Sequence, residues 1–565
     1  MRYAIMCSFG LVLFFVLISV TVAGAVIALA VCLIAFGWLV KYHAFTEKEK
    51  DFFRNLQTIN QRESDCLKGK YFEFPDGSVH ISRDHPNSFD LDIFGHASLF
   101  QYINRTTSKP ASDLLAFWLK EPAAIKEIML RQQAVLDLKP RIEWRQKLIT
   151  FGYSNINSGQ DPKELLAWVF SKNLFPNRKN LKRLTFLLSA LALASVVMVV
   201  FGMPPALLLP ILVINFVFYF LQGSKISRLH NHVGKSSEML ATYASTIELI
   251  EQEQFHTEKL KNLRGIFTEK APVSAYIRQL SGLVNRLDAR LNILVAIPLN
   301  LFFFWDIHFC LALERWKNIH VNNISVWFGT MAEFEVLSCF GNMAFNNPEW
   351  PMPVVSEEYF VLKAINAGHP LIPAGRRVSN SIEIPGSAKS ILITGSNMSG
   401  KSTFLRTCGV NAVLSMAGAP VCAEIFTISH VQVYSSMRIS DSLEDNTSSF
   451  YAELKRLAMI IKESERNQRV FLLLDEILRG TNSNDRYTGS VALVKQLIGY
   501  GTVSIVATHD LRLAELANEM PGKIDNYHFD VKIDGEELYF DYKLNPGICT
   551  SLNASILMKK MGIRV

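Results

Sequence analysis

The sequence predicts a two-part chain, with an α/β domain on a parallel sheet from about residue 356 onward and an all-α region ahead of it that carries apolar hairpins. Three observations predict this. Residues 4–40 and 184–221 hold only uncharged, mostly apolar side chains. Elsewhere before residue 350 apolar residues recur at helical spacing. Beyond Trp350, short β-rich runs alternate with helical segments, as in a parallel sheet covered on both faces.

At 565 residues the chain can bury more than one core without a disulfide or metal staple. Its hydrophobic share of 49% is concentrated in the two blocks. As one straight helix, residues 4–40 would run about 55 Å, nearly twice the roughly 30 Å hydrocarbon core of a bilayer. A hairpin turning near Val22–Ala25 is therefore expected, while a cleaved leader there is disfavoured because the apolar run continues to Val40. The second block is split by Gly202-Met203-Pro204-Pro205, a helix breaker. The expectation is four transmembrane helices in two hairpins.

Arg2, Lys41, Lys48 and Lys50 flank the first block, and Lys172, Arg178, Lys179, Lys182, Arg183, Lys225 and Arg228 flank the second, whereas both turns are uncharged. Positive flanks stay on the cytoplasmic side, so a multi-pass protein of the inner membrane with its soluble parts in the cytoplasm is expected. A third apolar stretch, Ile293 to Trp305, is too short to span and reads as a buried core helix.

The layout that follows is a hairpin over 1–45, a juxtamembrane segment over 46–84, a helical core over 85–182, a second hairpin over 183–222, the rest of the helical core over 223–355, and the α/β domain over 356–565. In the helical core Leu114, Leu115, Trp118 and Leu119 share one face. Ile125, Ile128, Met129, Val135 and Leu136 continue it, and Leu240, Tyr243, Ile247 and Ile250 line a later helix. The eight cysteines form no Cys-x-x-Cys pair and read as reduced thiols. The net charge of +7 is accounted for by the membrane flanks and does not by itself indicate nucleic acid.

Chemistry enters after the run Ser390–Thr394. Gly395-Ser396-Asn397-Met398-Ser399-Gly400-Lys401-Ser402 matches the phosphate-binding loop pattern in the strand-then-helix context it requires. Its glycines turn backbone N–H groups inward, and the helix that follows directs its positive end at the same phosphates. Lys401 would reach the β- and γ-phosphates of ATP, and the Ser402 hydroxyl would ligate Mg²⁺. A second apolar run, Val470–Leu474, ends in Asp475-Glu476. There Asp475 would hold Mg²⁺ and Glu476 would orient and deprotonate the attacking water. A third, Val503–Ala507, ends in Thr508-His509-Asp510, where His509 could sense the γ-phosphate.

These motifs resemble the ATPase domain of the MutS mismatch-repair family, an ABC-type P-loop NTPase fold. The resemblance rests on Thr394–Thr403, Leu474–Thr481, Ala507–Asp510 and Tyr542–Gly547, with His369-Pro370 ahead of the loop and Ser448-Ser449-Phe450 between the two Walker motifs. Leu99–Pro110 and Arg131–Val135 are similar to the start of that family's lever domain, so the likeness covers roughly residues 85–160 and 235–565. It implies a homodimer through the ATPase domains, with Ser448 reaching the partner's nucleotide and Asn397 and Thr403 near the phosphates.

Departures from the family are as informative. Nothing resembles its mismatch-reading domain, since Phe72-Glu73 lacks the intervening residue, and the hairpin at 184–221 stands where the family inserts its DNA clamp. The chain also ends at Val565 without the family's further C-terminal extension. The expected function is a membrane-anchored, ATP-driven switch acting on an unknown protein partner. Two rivals are a membrane-tethered DNA-binding module and an ABC-type transporter ATPase, the latter disfavoured because the Leu-Ser-Gly-Gly-Gln signature is absent and no ionisable residue marks a path through the spans.

Overall fold

The computed structural model describes residues 22–158, 163–204, 206, 208–269, 271–396, 398–438, 449–467, 469–534 and 537–549. The chain divides into two compact units, 1–61 and 62–565. One helix runs without a break from Val22, in the first unit, to Leu67, in the second, passing from the apolar run into charged sequence with no proline to stop it. The first arm of the N-terminal hairpin lies outside the described residues.

In the second unit, helices dominate up to Asn346. The Ile125–Leu138 helix buries Ile128 and Val135 as read in the sequence, but completes that face with Arg131, Ala134 and Leu138, while Met129 and Leu136 are exposed. Arg131 sits on that face because its guanidinium stacks 3.5 Å from the Trp118 ring and donates to the Ala417 carbonyl. A charged residue thus packs where an apolar one was sought. The Leu240, Tyr243, Ile247 and Ile250 face of Ser237–Gln252 is buried as expected.

The second apolar block forms two helices, Arg178–Val200 and Leu208–Val233, broken at Gly202 with φ 93°. These two are long and apolar enough to cross a membrane, and only 17% and 11% of their most apolar windows are buried. Among the described residues the count of such helices is therefore two, or three if a bent pair is included, rather than four. The bent pair is Ile293–Phe303 and Trp305–His320, which meet at 81°. The expectation that Ile293 to Trp305 is a buried core helix is overturned, because Ile293, Leu294, Val295, Ile297 and Phe303 are exposed and only Asn300 of the Ile293–Phe303 helix is buried. Short length marks a helix that cannot span a bilayer; it does not by itself place the helix in a core.

The α/β part holds two sheets. Strands β1 (Val354–Ser356), β2 (Val361–Ala367), β3 (Asn380–Pro385) and β5 (Ile425–Ser429) form a four-stranded sheet, ordered β1-β5-β2-β3, which was not legible as a separate layer in the sequence. Strands β4 (Ser390–Gly395), β6 (Gln432–Ser436), β7 (Val470–Asp475), β8 (Val503–Thr508), β9 (Ile524–Asp534) and β10 (Glu537–Pro546) form the six-stranded sheet, ordered β10-β9-β4-β8-β7-β6. All its pairings are parallel except β10 with β9. Every residue of β4, β7 and β8 is buried, which is why these three read as unbroken apolar runs.

Candidate nucleotide site

Three neighbouring strands, β4, β8 and β7, end at one edge of the sheet, with Thr394 opposite Thr508 and Asp475 opposite Ala507. The loop after β4 needs its glycines. Gly395 has φ 149°, and a Cβ there would lie 2.9 Å from the Phe529 carbonyl oxygen; Gly400 has φ 108° and faces the Tyr542 ring. The Lys401–Ala417 helix starts at the loop's end, so its free N–H groups point back into it.

Lys401 is buried, and its Nζ donates to the Gly395 and Ser396 carbonyls at 2.9 and 2.8 Å. Burial holds its pKa down to about 8. The Ser402 hydroxyl donates to Asp475 Oδ2, while Asp475 Oδ1 is buried with no hydrogen-bond partner. Burial raises the Asp475 pKa despite that one donor, so the carboxylate sits in a place that favours a cation beside it. Ser396 Oγ and Ser399 Oγ are likewise buried without a partner.

Glu476 has φ 50°, and its N–H is held by the Ala507 carbonyl at 2.9 Å. One carboxylate oxygen pairs with His509 Nε2 and the other with Arg479 Nε at 3.0 Å. The hydrogen bond from His509 is the main cause of a lowered Glu476 pKa, partly opposed by burial. His509 Nδ1 also lies 2.8 Å from the Gly395 carbonyl oxygen. His509 thus links the end of β7 to the start of the phosphate loop.

A cavity of about 490 Å³ opens beside the loop, lined by Met398 to Thr403, Glu476 and Phe529 and also by Ile372, Arg376, Val378 and Tyr542. Tyr542 has φ 53°, and Asn380 clamps it by donating to its carbonyl at 3.0 Å while accepting from the Leu544 N–H at 2.9 Å. Sequence reading quoted the Tyr542–Gly547 string without giving Tyr542 a place against the nucleotide. That placement depends on the β9–β10 hairpin returning past the loop.

Glu453 was missed altogether. It lies on the Ser449–Arg466 helix, is buried, and accepts the N–H of Leu478, whose φ is 60°. Nearby, a Cβ on Gly480 would meet the Phe450 Cβ at 2.6 Å. The segment after Glu476 is therefore pinned to the start of that helix. An acidic residue on an amphipathic helix carries no periodic signal of burial, so only the tertiary contact reveals it. Asn397 and Ser448 lie outside the described residues.

Asp475 Oδ1, Ser402 Oγ and the glycine cradle form the donor set a magnesium triphosphate needs: hard oxygens beside inward-facing N–H groups.

The profile of MutS domain V matches residues 391–561. The DNA mismatch repair protein MutS of Fusobacterium nucleatum is 30% identical over 227 residues, 39% of this chain and 25% of that protein. The protein of the same name from Methanosarcina mazei is 34% identical over 222 residues, 38% of this chain and 24% of that protein. The human MutS protein homolog 4 is 30% identical over 211 residues, covering 35% and 22%. The chain thus spans about a quarter of the length of these relatives.

Proposed function

Through its C-terminal domain the chain belongs to the MutS family, and from that premise we propose that it is a membrane-anchored ATPase whose nucleotide cycle moves the helical lever region. The observation that carries this reading is the convergence of Lys401, Ser402 and Glu476 on one cavity at the carboxyl edge of the parallel sheet, with Asp475 held directly behind Ser402.

Lys401 would exchange its two loop carbonyls for the β- and γ-phosphates, and its burial makes that charge contact strong. Ser402 and Asp475 would hold Mg²⁺, which supplies charge neutralisation across the phosphates. Glu476 would take the proton of the attacking water once His509 turns away, since the imidazole contact keeps it a weak base. Ile372, Val378 and Tyr542 would receive the adenine.

Glu453, pinned to the segment after Glu476, would carry the state of that segment into the Ser449–Arg466 helix, next to Ser448 in the chain. In a homodimer Ser448 would reach the partner's nucleotide. The membrane reading is supported by the exposed apolar helices Arg178–Val200 and Leu208–Val233 with their basic flank at Lys179, Lys182 and Arg183, and on that reading the protein would sit in the cytoplasmic membrane.

The test is MgATP binding and phosphate release by the detergent-solubilised full chain. Lys401→Ala should reduce turnover at least ~100-fold, the scale of losing one preorganised charge contact. Wild-type turnover in that variant would end the ATPase reading.

Relatives named for DNA mismatch repair favour a second reading, a tethered DNA-binding module. DNA affinity that falls steeply with salt would support it, and a flat response would exclude it.

A further inference from the structure

The Ile293–Phe303 helix is exposed and uncharged, yet the chain around its C-terminal end is built for a place without water. The Val273–Asp288 helix leads into it through a short turn in which Arg290 Nη2 donates to Ser227 Oγ at 3.4 Å, near the lever end of Leu208–Val233. At the far end of the Ile293–Phe303 helix, the Leu301 carbonyl accepts from Asn215 Nδ2 at 2.7 Å. Ser227 to Asn215 is about 18 Å along a helix at 1.5 Å per residue, so the segment climbs roughly half a bilayer's thickness beside the second hairpin.

There the chain turns back. Phe304, fully buried with φ 48°, breaks the helix, and Trp305–His320 leaves at 81° toward the lever core, burying Ile307, Leu313 and Trp316. A break frees backbone groups, and here side chains take them up. Asn300 Oδ1 accepts the Asp306 N–H at 2.9 Å and Asn215 Nδ2 donates to the Leu301 carbonyl; beside them Asp306 Oδ2 accepts from the Tyr219 hydroxyl at 2.8 Å with Arg290 Nε at 3.5 Å, while Asp306 Oδ1 and Asn215 Oδ1 have no partner. In water such groups would be solvated without help; in hydrocarbon a broken helix persists only where protein satisfies them.

The opposite face has no such polar outfit. Ile293, Leu294 and Ile297 are 54–82% exposed, and the Ile293–Phe303 helix packs against both helices of the hairpin, whose own outer faces expose Val213, Phe216 and Val217.

We propose that Ile293–Phe303 is a re-entrant half-span that enters the bilayer from the lever side and contacts acyl chains through Ile293, Leu294 and Ile297, making the membrane module three elements rather than a hairpin. The inference rests on the membrane reading of the hairpin. Lipid is the occupant because the exposed face is continuous with that hairpin, carries no charge, and stops at Arg290 on one side and Asp306 on the other. Trp305–His320 is not a second half of a span, since Glu314 and Lys317 are buried in the lever core.

The experiment attaches a small thiol-reactive fluorophore to Leu294→Cys in the full chain and reconstitutes it in phosphatidylcholine vesicles brominated at mid-chain. Val213→Cys on the hairpin and Lys261→Cys on Glu258–Thr268 serve as references, and label taken up by the wild-type protein is subtracted. Each variant must keep the wild-type circular dichroism, which surface positions permit. Bromolipid should quench position 294 as strongly as 213 and leave 261 bright. Quenching at 213 with 294 as bright as 261 overturns the half-span alone, whether water or a second protein copy covers that face. Brightness at both 213 and 294 overturns the hairpin reading along with it.

Discussion

The nucleotide edge and the re-entrant turn both bury a carboxylate, and the two are finished in different ways. Asp475 has one oxygen on Ser402 and the other without a partner, beside a cavity of about 490 Å³. Asp306 is fully buried and shares one oxygen between Tyr219 and Arg290 on neighbouring elements, its other oxygen also being without a hydrogen-bond partner. Each leaves one oxygen unpaired; the first does so behind Ser402, on the wall of an open cavity that a cation can enter, whereas the second ties three chain segments together. An acidic residue in an apolar stretch therefore says little about its role until its partners are known.

Breaking each site should separate the two. Glu476→Gln should lower ATP turnover by roughly 100- to 10,000-fold, the range for losing a general base, while leaving nucleotide affinity near wild type. Single-turnover phosphate release set beside equilibrium binding measures both, and undiminished release would remove Glu476 from the assigned role. Asp306→Ala strands the Arg290 guanidinium and should cost about 3–5 kcal/mol of stability, seen as a lower melting temperature in detergent with MgATP affinity unchanged. If nucleotide affinity fell instead, the two sites would not be separate devices.

Acid should weaken the fold through two buried histidines, one in each part of the chain. Burial holds His85 and His369 down to about 4 from 6.5, so the folded chain keeps them neutral while the unfolded chain protonates them below pH 6.5. Their contribution is complete above that pH and is lost progressively toward pH 4, amounting to roughly 1–2 kcal/mol each at pH 5. Urea midpoints at pH 7 and 5 should differ accordingly, and His369→Gln should shrink the difference. The smallest effect expected is at Tyr542→Ala, which should raise the KM for ATP about tenfold with little change in kcat, as loss of one stacked aromatic does. A matching loss in kcat would assign Tyr542 to the phosphates instead.

The phosphate edge was legible because its chemistry is local. Gly395 and Gly400 are required by backbone conformation, Lys401 and Ser402 by their distance from that loop, and Asp475 and His509 by sitting at the ends of fully buried strands. Glu453 and the clamp on Tyr542 were not legible, since each depends on a residue distant in sequence, Leu478 in one case and Asn380 in the other. The face of Ile125–Leu138 was misread in part for a similar reason, because Arg131 is buried by Trp118 and the Ala417 carbonyl.

Sequence alone determined the phosphate loop, the parallel strands and the apolar hairpin at 184–221, because each is written in contiguous residues whose backbone and hydropathy need no distant partner. Tertiary structure alone decided that Ile293–Phe303 lies outside the core, with Asn215 and Tyr219 of another helix completing its broken end. Apolar composition reports that a segment avoids water; whether protein or lipid replaces the water depends on what packs beside it.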